Sequence, residues 1–484
     1  MNEFQEKRWL ALILLSASQF VVVLDASIVN VALPTIGRAL DFSQENLPWV
    51  VNAYVLTFGG FLLLGGRTAD LLGRRRVFMG GLLLVAVASL AAGFAATEGQ
   101  LIAARAAQGL GAAIISPAAL SIVTTIFSDG AERNKALGVW GAVAGSAGAA
   151  GVLLGGVLTE SLGWEWVLWV NVPVSLVAFA LTPRLIAESR ARGEARSFDV
   201  AGAVSVTAAL SIMVYAIVDA NSAGWGSAQT IELLALAIVL FAAFVAIELR
   251  ARKPLVPFSI FRIRTLTGAN VVGLLVGASL FSMFFFISLY MQQVLGYSAI
   301  HAGLSYLPLS LAIIGAAGVA SQLVTKAGYK PVLAIGLLFI CAGLLWFSRV
   351  SVGGSFVGDI LGPSILAAIG LGFAFVTTTI AAVSGVEEDE SGLASGLINT
   401  SQQVGGALGL AVLSSIATSR TESLLGSGSG LHQALTDGFQ AAFLGGAAIA
   451  FAGFVLTLLL IRSRDSRAHV ELGRTEAASA SESA

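Results

Sequence analysis

The sequence predicts an all-α, polytopic membrane fold with fourteen transmembrane helices, and three observations point to it. Hydrophobic residues make up 56% of the chain. Charged residues make up only 11%, where soluble proteins average about 25%, so a soluble fold could not hide this much apolar surface. Apolar stretches close to the roughly 20 residues that a helix needs to cross a bilayer recur from one end of the chain to the other.

The stretches fall near residues 10–32, 47–66, 77–97, 101–126, 136–159, 166–184, 199–219, 230–249, 268–292, 302–323, 331–348, 358–383, 392–418 and 438–461. The first follows Lys7 and Arg8 and is longer than the roughly 7–15-residue apolar core of a cleavable signal peptide, so it is expected to be a retained span. An even number of spans puts both termini on one side. Lys and Arg concentrate on the cytoplasmic side of membrane proteins. Of the 27 such residues here, all but Arg38, Arg349, Arg420 and the intramembrane Arg105 lie on the side of the N-terminus. Both termini are therefore expected to be cytoplasmic. One cytoplasmic loop, Glu387–Glu390, is acidic instead.

Basic loops at 184–198 and 250–264 flank one pair of spans and leave six spans before it and six after it. The expected organisation is an N-terminal six-helix bundle (1–186), a two-helix insert with basic flanks (187–264), a C-terminal six-helix bundle (265–464) and a tail (465–484). The tail is rich in Ser, Ala and Glu and is expected to be disordered in the cytoplasm. The loops GGRTADLLGRRRVF (65–78) and VTKAGYKPVLAIG (324–336) form a weak internal repeat. Two similar helical halves around a midplane site are a common transporter plan.

Several function classes drop out. The net charge of −1 carries no nucleic-acid footprint. A single cysteine, Cys341, permits neither an intramolecular disulfide nor a cysteine-rich metal site. His301, His432 and His469 are far apart in the chain. The spans carry no nucleophile–base pair. No metal ligands, no catalytic residues and no enzyme activity are expected.

Asp25 lies about 15 residues into the first span, roughly 22 Å along a helix, and so in its outer half. A carboxylate there costs about 2.5–3.5 kcal/mol on insertion scales. It is tolerated when it faces a watery cavity or a partner, where it serves proton coupling, substrate contact or a structural hydrogen bond. Arg105 lies near the outer end of the fourth span, which runs inward, so the two are expected at similar depth. A buried guanidinium needs an acceptor, and Asp25 or a backbone carbonyl can supply it; a snorkelling interfacial arginine is the alternative. The fifth span, GVWGAVAGSAGAAGVLLGG, places Gly141, Gly145, Gly148, Gly151, Gly155 and Gly156 at spacings of three and four. Such a face permits close helix packing, or rocking of one helix on another. The loop at Gly65–Arg76 carries Asp70, which is expected to cap a following helix or bind a helix N-terminus. Its arginines also serve topology. The ninth span carries Phe281, Phe284, Phe285, Phe286, Tyr290, Gln292 and Gln293, a mixture that suits either a cavity for amphipathic ligands or a lipid-facing surface.

From about Leu10 to Ile461 the chain resembles the major facilitator superfamily, and within it the fourteen-span branch of drug/proton antiporters. Gly66, Asp70, Gly73, Arg74 and Arg75 match the signature loop between spans two and three, with Thr68 where leucine is usual and Leu71 where arginine is frequent. LDASIVNVALP matches the first-span motif at Leu24, Asp25, Asn30, Ala32 and Pro34, and LIAARAAQGLGAA matches the fourth at Arg105, Gln108 and Gly109. The fifth-span motif is matched at Gly145, Gly148, Gly151 and Gly155, with Val152 where antiporters usually carry proline. WEWVLWVNVPV (164–174) and LYMQQVLGYSAIHAGLSYLP (289–308) are also similar to this branch.

The resemblance implies alternating access, driven by the proton gradient with no bound cofactor, in a bacterial plasma membrane. It implies proton coupling through Asp25 and Arg105. A substrate cavity is expected to draw on Asn30, Gln108, Phe281, Phe285, Tyr290 and Gln293, with the loop and the glycine face as the conformational motif. The expected partners are protons, the lipid bilayer and a small-molecule substrate. That substrate is either a range of amphipathic drugs, dyes and antibiotics or one endogenous metabolite or lipid-like product.

Overall fold

The computed structural model describes residues 7–42, 49–127, 130–190, 199–251, 254, 256–386 and 391–467. Helix is the only regular structure among them. This is what an apolar solvent dictates, because a helix satisfies its backbone polar groups within one segment. The helices are α1 (Arg8–Ala39), α2 (Trp49–Leu72), α3 (Arg74–Gly93), α4 (Glu98–Ile126), α5 (Gly130–Ser161), α6 (Glu165–Trp169), α7 (Asn171–Leu185), α8 (Val200–Ala223), α9 (Ala228–Glu248), α10 (Arg264–Leu289), α11 (Ala299–Ser305), α12 (Leu307–Ala327), α13 (Tyr329–Phe347), α14 (Gly362–Val383), α15 (Ser391–Gly426) and α16 (Leu431–Leu460). A π-helical turn at Tyr290–Val294 extends α10, and another at Phe356–Leu361 leads into α14.

Each of the fourteen apolar stretches falls on helix. Among the described residues, 11 spans are long and apolar enough to cross a membrane, and 12 when the two arms of α5, bent by 43°, are taken as one. The two remaining stretches fall short of that standard. The apolar part of α8 runs only from Val204 to Ile217, and α15 interleaves its apolar residues with Gly, Ser and Gln. Residues 468–484 of the expected tail, the acidic loop 387–390 and residues 191–198 of the first basic loop lie outside the described residues.

Contacts gather the chain into two units that do not follow sequence order. The first comprises Met1–Ser128, Leu154–Ile263 and Gly385–Thr400, and the second Asp129–Leu153, Arg264–Ser384 and Ser401–Ala484. In the first unit, α4 packs on α2 and α3, and α1 packs on α4 and α7. Between α1, α4 and the α6 turn lies a core of Leu24, Ile28, Val29, Ala32, Leu101, Ala104, Trp164, Val167 and Leu168. In the chain Leu24 and Ala104 directly precede Asp25 and Arg105, the pair described below. The two helices of the expected insert, α8 and α9, pack on each other, and α8 also packs on α2, where Trp49 stacks on Tyr215 at 5.5 Å between ring centroids. In the second unit, α14 packs on α10, α12 and α13, and α16 packs on α10 and α13.

Candidate functional site

Asp25 projects from the middle of α1 and is 2% exposed, and Arg105, from the first half of α4, is 0% exposed. Arg105 Nη1 donates to Asp25 Oδ2 at 2.5 Å. The expected pairing at similar depth is therefore present in the structure. Gln108 lies three residues after Arg105, on the same helical face, and completes the lattice. Its Oε1 accepts from Arg105 Nη1 at 2.9 Å, and its Nε2 donates to Asp25 Oδ1 at 3.4 Å and to Ser89 Oγ on α3 at 2.7 Å.

Arg105 has further acceptors. Its Nε donates to the Val50 carbonyl at 2.9 Å and its Nη2 to the Asp25 carbonyl at 3.4 Å. Its guanidinium carbon sits 4.5 Å from the centre of the Tyr54 ring, a cation–π contact. Tyr54 is fixed by its own hydroxyl, which donates to the Val22 carbonyl at 2.7 Å. Asn171, the first residue of α7, donates from Nδ2 to Asp25 Oδ1 at 2.5 Å. It is fully buried, and its Oδ1 has no hydrogen-bond partner. Both oxygens of the Asp25 carboxylate thus carry N–H donors. Charge-assisted bonds of this kind are the strong ones, and they offset part of the cost of burying the pair.

Asn171, Tyr54 and Ser89 are members of the cluster that sequence reasoning did not single out. The signal for Asn171 was present in WVNVPV, an amide at the head of a span.

The loop after α2 forms a second polar focus. Gly73 has φ 111°, a left-handed conformation that suits glycine, and there the chain reverses from α2 into α3. Asp70 Oδ1 accepts from Arg74 Nε at 3.2 Å and from Arg74 Nη2 at 3.1 Å, both side chains being buried. Arg74 Nη1 also donates to Thr125 Oγ1 at 2.9 Å. Asp70 Oδ2 accepts from the backbone N–H of Leu393, in the first turn of α15, at 3.1 Å. Asp70 therefore binds a helix N-terminus, one of the two roles the sequence suggested. Arg75 and Arg76 both pair with Glu188, at 3.8 and 3.6 Å, and Gly66 is buried within α2.

The glycine face of α5 serves different neighbours along its length. A Cβ on Gly155 would lie 2.6 Å from the Ile28 carbonyl of α1, so only glycine permits that approach. A Cβ on Gly148 would meet nothing within 4 Å. Gly151 is buried, and Gly145 lies within α5.

The remaining cavity candidates do not join the Asp25 cluster. Asn30 is exposed, and its amide donates to the Ala26 and Ser27 carbonyls of its own helix. Phe281 and Phe285, 37% and 41% exposed, lie four residues apart on one face of α10. The ring of Phe281 packs against Gly406, and Gln293 is exposed. Tyr290 is buried, and its hydroxyl donates to the Ser351 carbonyl at 2.7 Å, which anchors a loop.

Residues 15–410 match the profile of the Major Facilitator Superfamily. The chain is 39% identical over 458 residues to the puromycin resistance protein of Streptomyces alboniger, covering 94% of this chain and 90% of that one. It is 40% identical over 453 residues to the cephamycin export protein of Amycolatopsis lactamdurans, covering 93% and 92%. Its fold matches the crystal structure of the human organic anion transporter MFSD10 with a TM-score of 0.65 at 16% identity, covering 93% of this chain and 99% of that one.

Proposed function

The chain belongs to the major facilitator superfamily, and from that premise we propose that it is a proton-coupled antiporter that exports small amphipathic molecules by alternating access. In this reading its fourteen spans form two six-helix bundles and a two-helix insert in a bacterial plasma membrane, with both termini cytoplasmic. Protons and the exported compound are its ligands, and the proton gradient supplies the energy without a bound cofactor.

The observation that carries the reading is the buried Asp25–Arg105 pair with its surplus of alternative partners. A proton arriving at Asp25 removes the negative charge, and a lone buried cation would then be costly. Arg105, however, keeps the Val50 carbonyl, the Gln108 amide oxygen and the Tyr54 ring. The lattice can thus hold either protonation state of Asp25, as a proton carrier must. Asn171 and Gln108 set the orientation of the carboxyl. Asp70 ties the signature loop to the head of α15 on the side read as cytoplasmic, and breaking and remaking that bond accompanies the change of access. Two relatives at about 40% identity, a resistance protein and an export protein, support the outward direction.

The test is exchange in proteoliposomes that report interior pH under an imposed gradient, with ethidium as the cationic probe. Wild type dissipates the gradient when the dye is added, and Asp25→Asn does not. Dye movement at the wild-type rate in Asp25→Asn would sink the proposal. A narrower reading, export of one endogenous product, is favoured by the fact that each of those two relatives is named for a single antibiotic. A panel of dyes and biocides that all fail, while one secondary metabolite drives proton flux, selects it.

A further inference from the structure

The second unit contains a cavity of about 700 Å³ between the first half of α5 and α12. That size falls within the roughly 300–1,000 Å³ of small-molecule sites. Its floor is the line where the two helices touch. Asn134 Nδ2 donates to Thr325 Oγ1 at 3.1 Å, and one turn deeper a Cβ on Gly138 would lie 2.8 Å from Ser321 Cβ. Lys135 and Lys326 each follow a member of the Asn134–Thr325 hydrogen bond in the chain, so both stems start at the same level, and both line the cavity.

From there the walls turn apolar through Val139, Ala142, Ile314 and Gly318. Val139 is 38% and Ile314 47% exposed, as side chains turned towards lipid are. The wall from Lys135 to Ser146 spans about 16 Å at 1.5 Å per residue. That matches one leaflet of a hydrocarbon core roughly 30 Å thick. The cavity thus has a cationic mouth, an apolar trough and the depth of a single leaflet. The mouth disfavours the cationic amphiphiles proposed as cargo and favours an anion. Basic pockets between helices on the cytoplasmic side are the pattern that recognises anionic headgroups.

We propose that this cavity is a binding site for an anionic phospholipid of the cytoplasmic leaflet, with its phosphate between Lys135 and Lys326 and an acyl chain along Val139, Ala142, Ile314 and Gly318. The assignment of leaflet rests on the orientation proposed above, whereas the binding itself is independent of transport. Gly318 is the natural handle, because a Cβ there meets nothing within 4 Å. A larger side chain fills the trough without disturbing a helix contact.

The test is native mass spectrometry of the full-length protein with phosphatidylglycerol or phosphatidylcholine of matched acyl chains. Wild type is expected to retain phosphatidylglycerol preferentially. Lys135→Gln with Lys326→Gln should weaken that preference about fivefold per lysine, while the double arginine variant keeps it. Gly318→Leu should lose both lipids from the site at an unchanged melting temperature. A photoactivatable phosphatidylglycerol should label α5 and α12. An undiminished preference in the double glutamine variant overturns the proposal, as does labelling confined to other helices. Retention of a soluble anionic amphiphile such as dodecyl sulfate with no phosphatidylglycerol retained also overturns it, because the occupant would then not be a membrane lipid.

Discussion

Arg105 and Asp25 show how much a residue's role depends on what surrounds it. Arg105→Ala leaves Asp25 buried with its principal counter-charge gone. Breaking a buried pair from one side typically costs about 3–5 kcal/mol, so the variant should show a large fall in melting temperature in detergent. Arg105→Lys keeps the charge but has no planar fork to engage Asp25, Gln108 and Val50 together. It should fold, and its proton-coupled exchange in proteoliposomes should drop by roughly tenfold or more, the equivalent of about 1.4 kcal/mol. A lysine variant with wild-type exchange would mean that the lattice of acceptors is incidental. Asp25 and Arg105 were legible in the sequence because charges inside apolar stretches are rare, and counting residues placed them at one depth. Asn171 was not legible as a partner. It heads α7 directly after the short α6 turn, and the direction of its amide depends on that turn, which apolar periodicity does not encode.

Among the elements, α5 makes a demand that differs along its length. Gly155→Ala would push a methyl group to 2.6 Å from the Ile28 carbonyl, and overpacking of this kind costs about 1–3 kcal/mol. Gly148→Ala should cost almost nothing, because a Cβ there meets no neighbour within 4 Å. A thermal-shift comparison of the two variants checks whether the glycine face is uniform or, as the contacts indicate, divided by neighbour. The head of α15 makes a further prediction. Asp70→Ala removes a carboxylate from the Leu393 N–H and from Arg74. Loss of such a cap costs about 1 kcal/mol, and breaking the buried Arg74 pair from one side adds roughly 3–5 kcal/mol. The melting temperature should therefore fall steeply, with Asp70→Asn recovering part of the cap.

The expectation that placed Phe281, Phe285 and Tyr290 in one cavity rested on a mixture of aromatic and amide side chains along the ninth span. Phe281 and Phe285 share a face, but Tyr290 lies nine residues after Phe281, about half a turn round the helix, and is buried as a loop anchor. Composition alone does not encode which way each of these side chains points. Hydropathy located helices because an apolar stretch of this length satisfies its backbone as a helix in lipid, and 11 or 12 of them reach membrane-spanning length among the described residues.

For the whole molecule, the proposed fourteen-span arrangement would place the turn between α8 and α9 and the start of α16 outside the cell, and the end of the sixth span inside it. In a Cys341→Ala background, a membrane-impermeant maleimide should label Gly226→Cys and His432→Cys in intact cells, and Arg190→Cys only after permeabilisation. Labelling of Gly226→Cys only after permeabilisation would remove α8 from the spans, and it is α8 whose apolar part is shortest. The central claim is that one carboxyl, Asp25, links proton and cargo, and the most direct measurement is proton release on binding. Purified protein in weakly buffered detergent solution is mixed with ethidium while pH is recorded. The account predicts that wild type releases protons as the dye binds, and that Asp25→Asn binds the dye with no release. Equal release from both proteins would contradict it and move the coupling to another group.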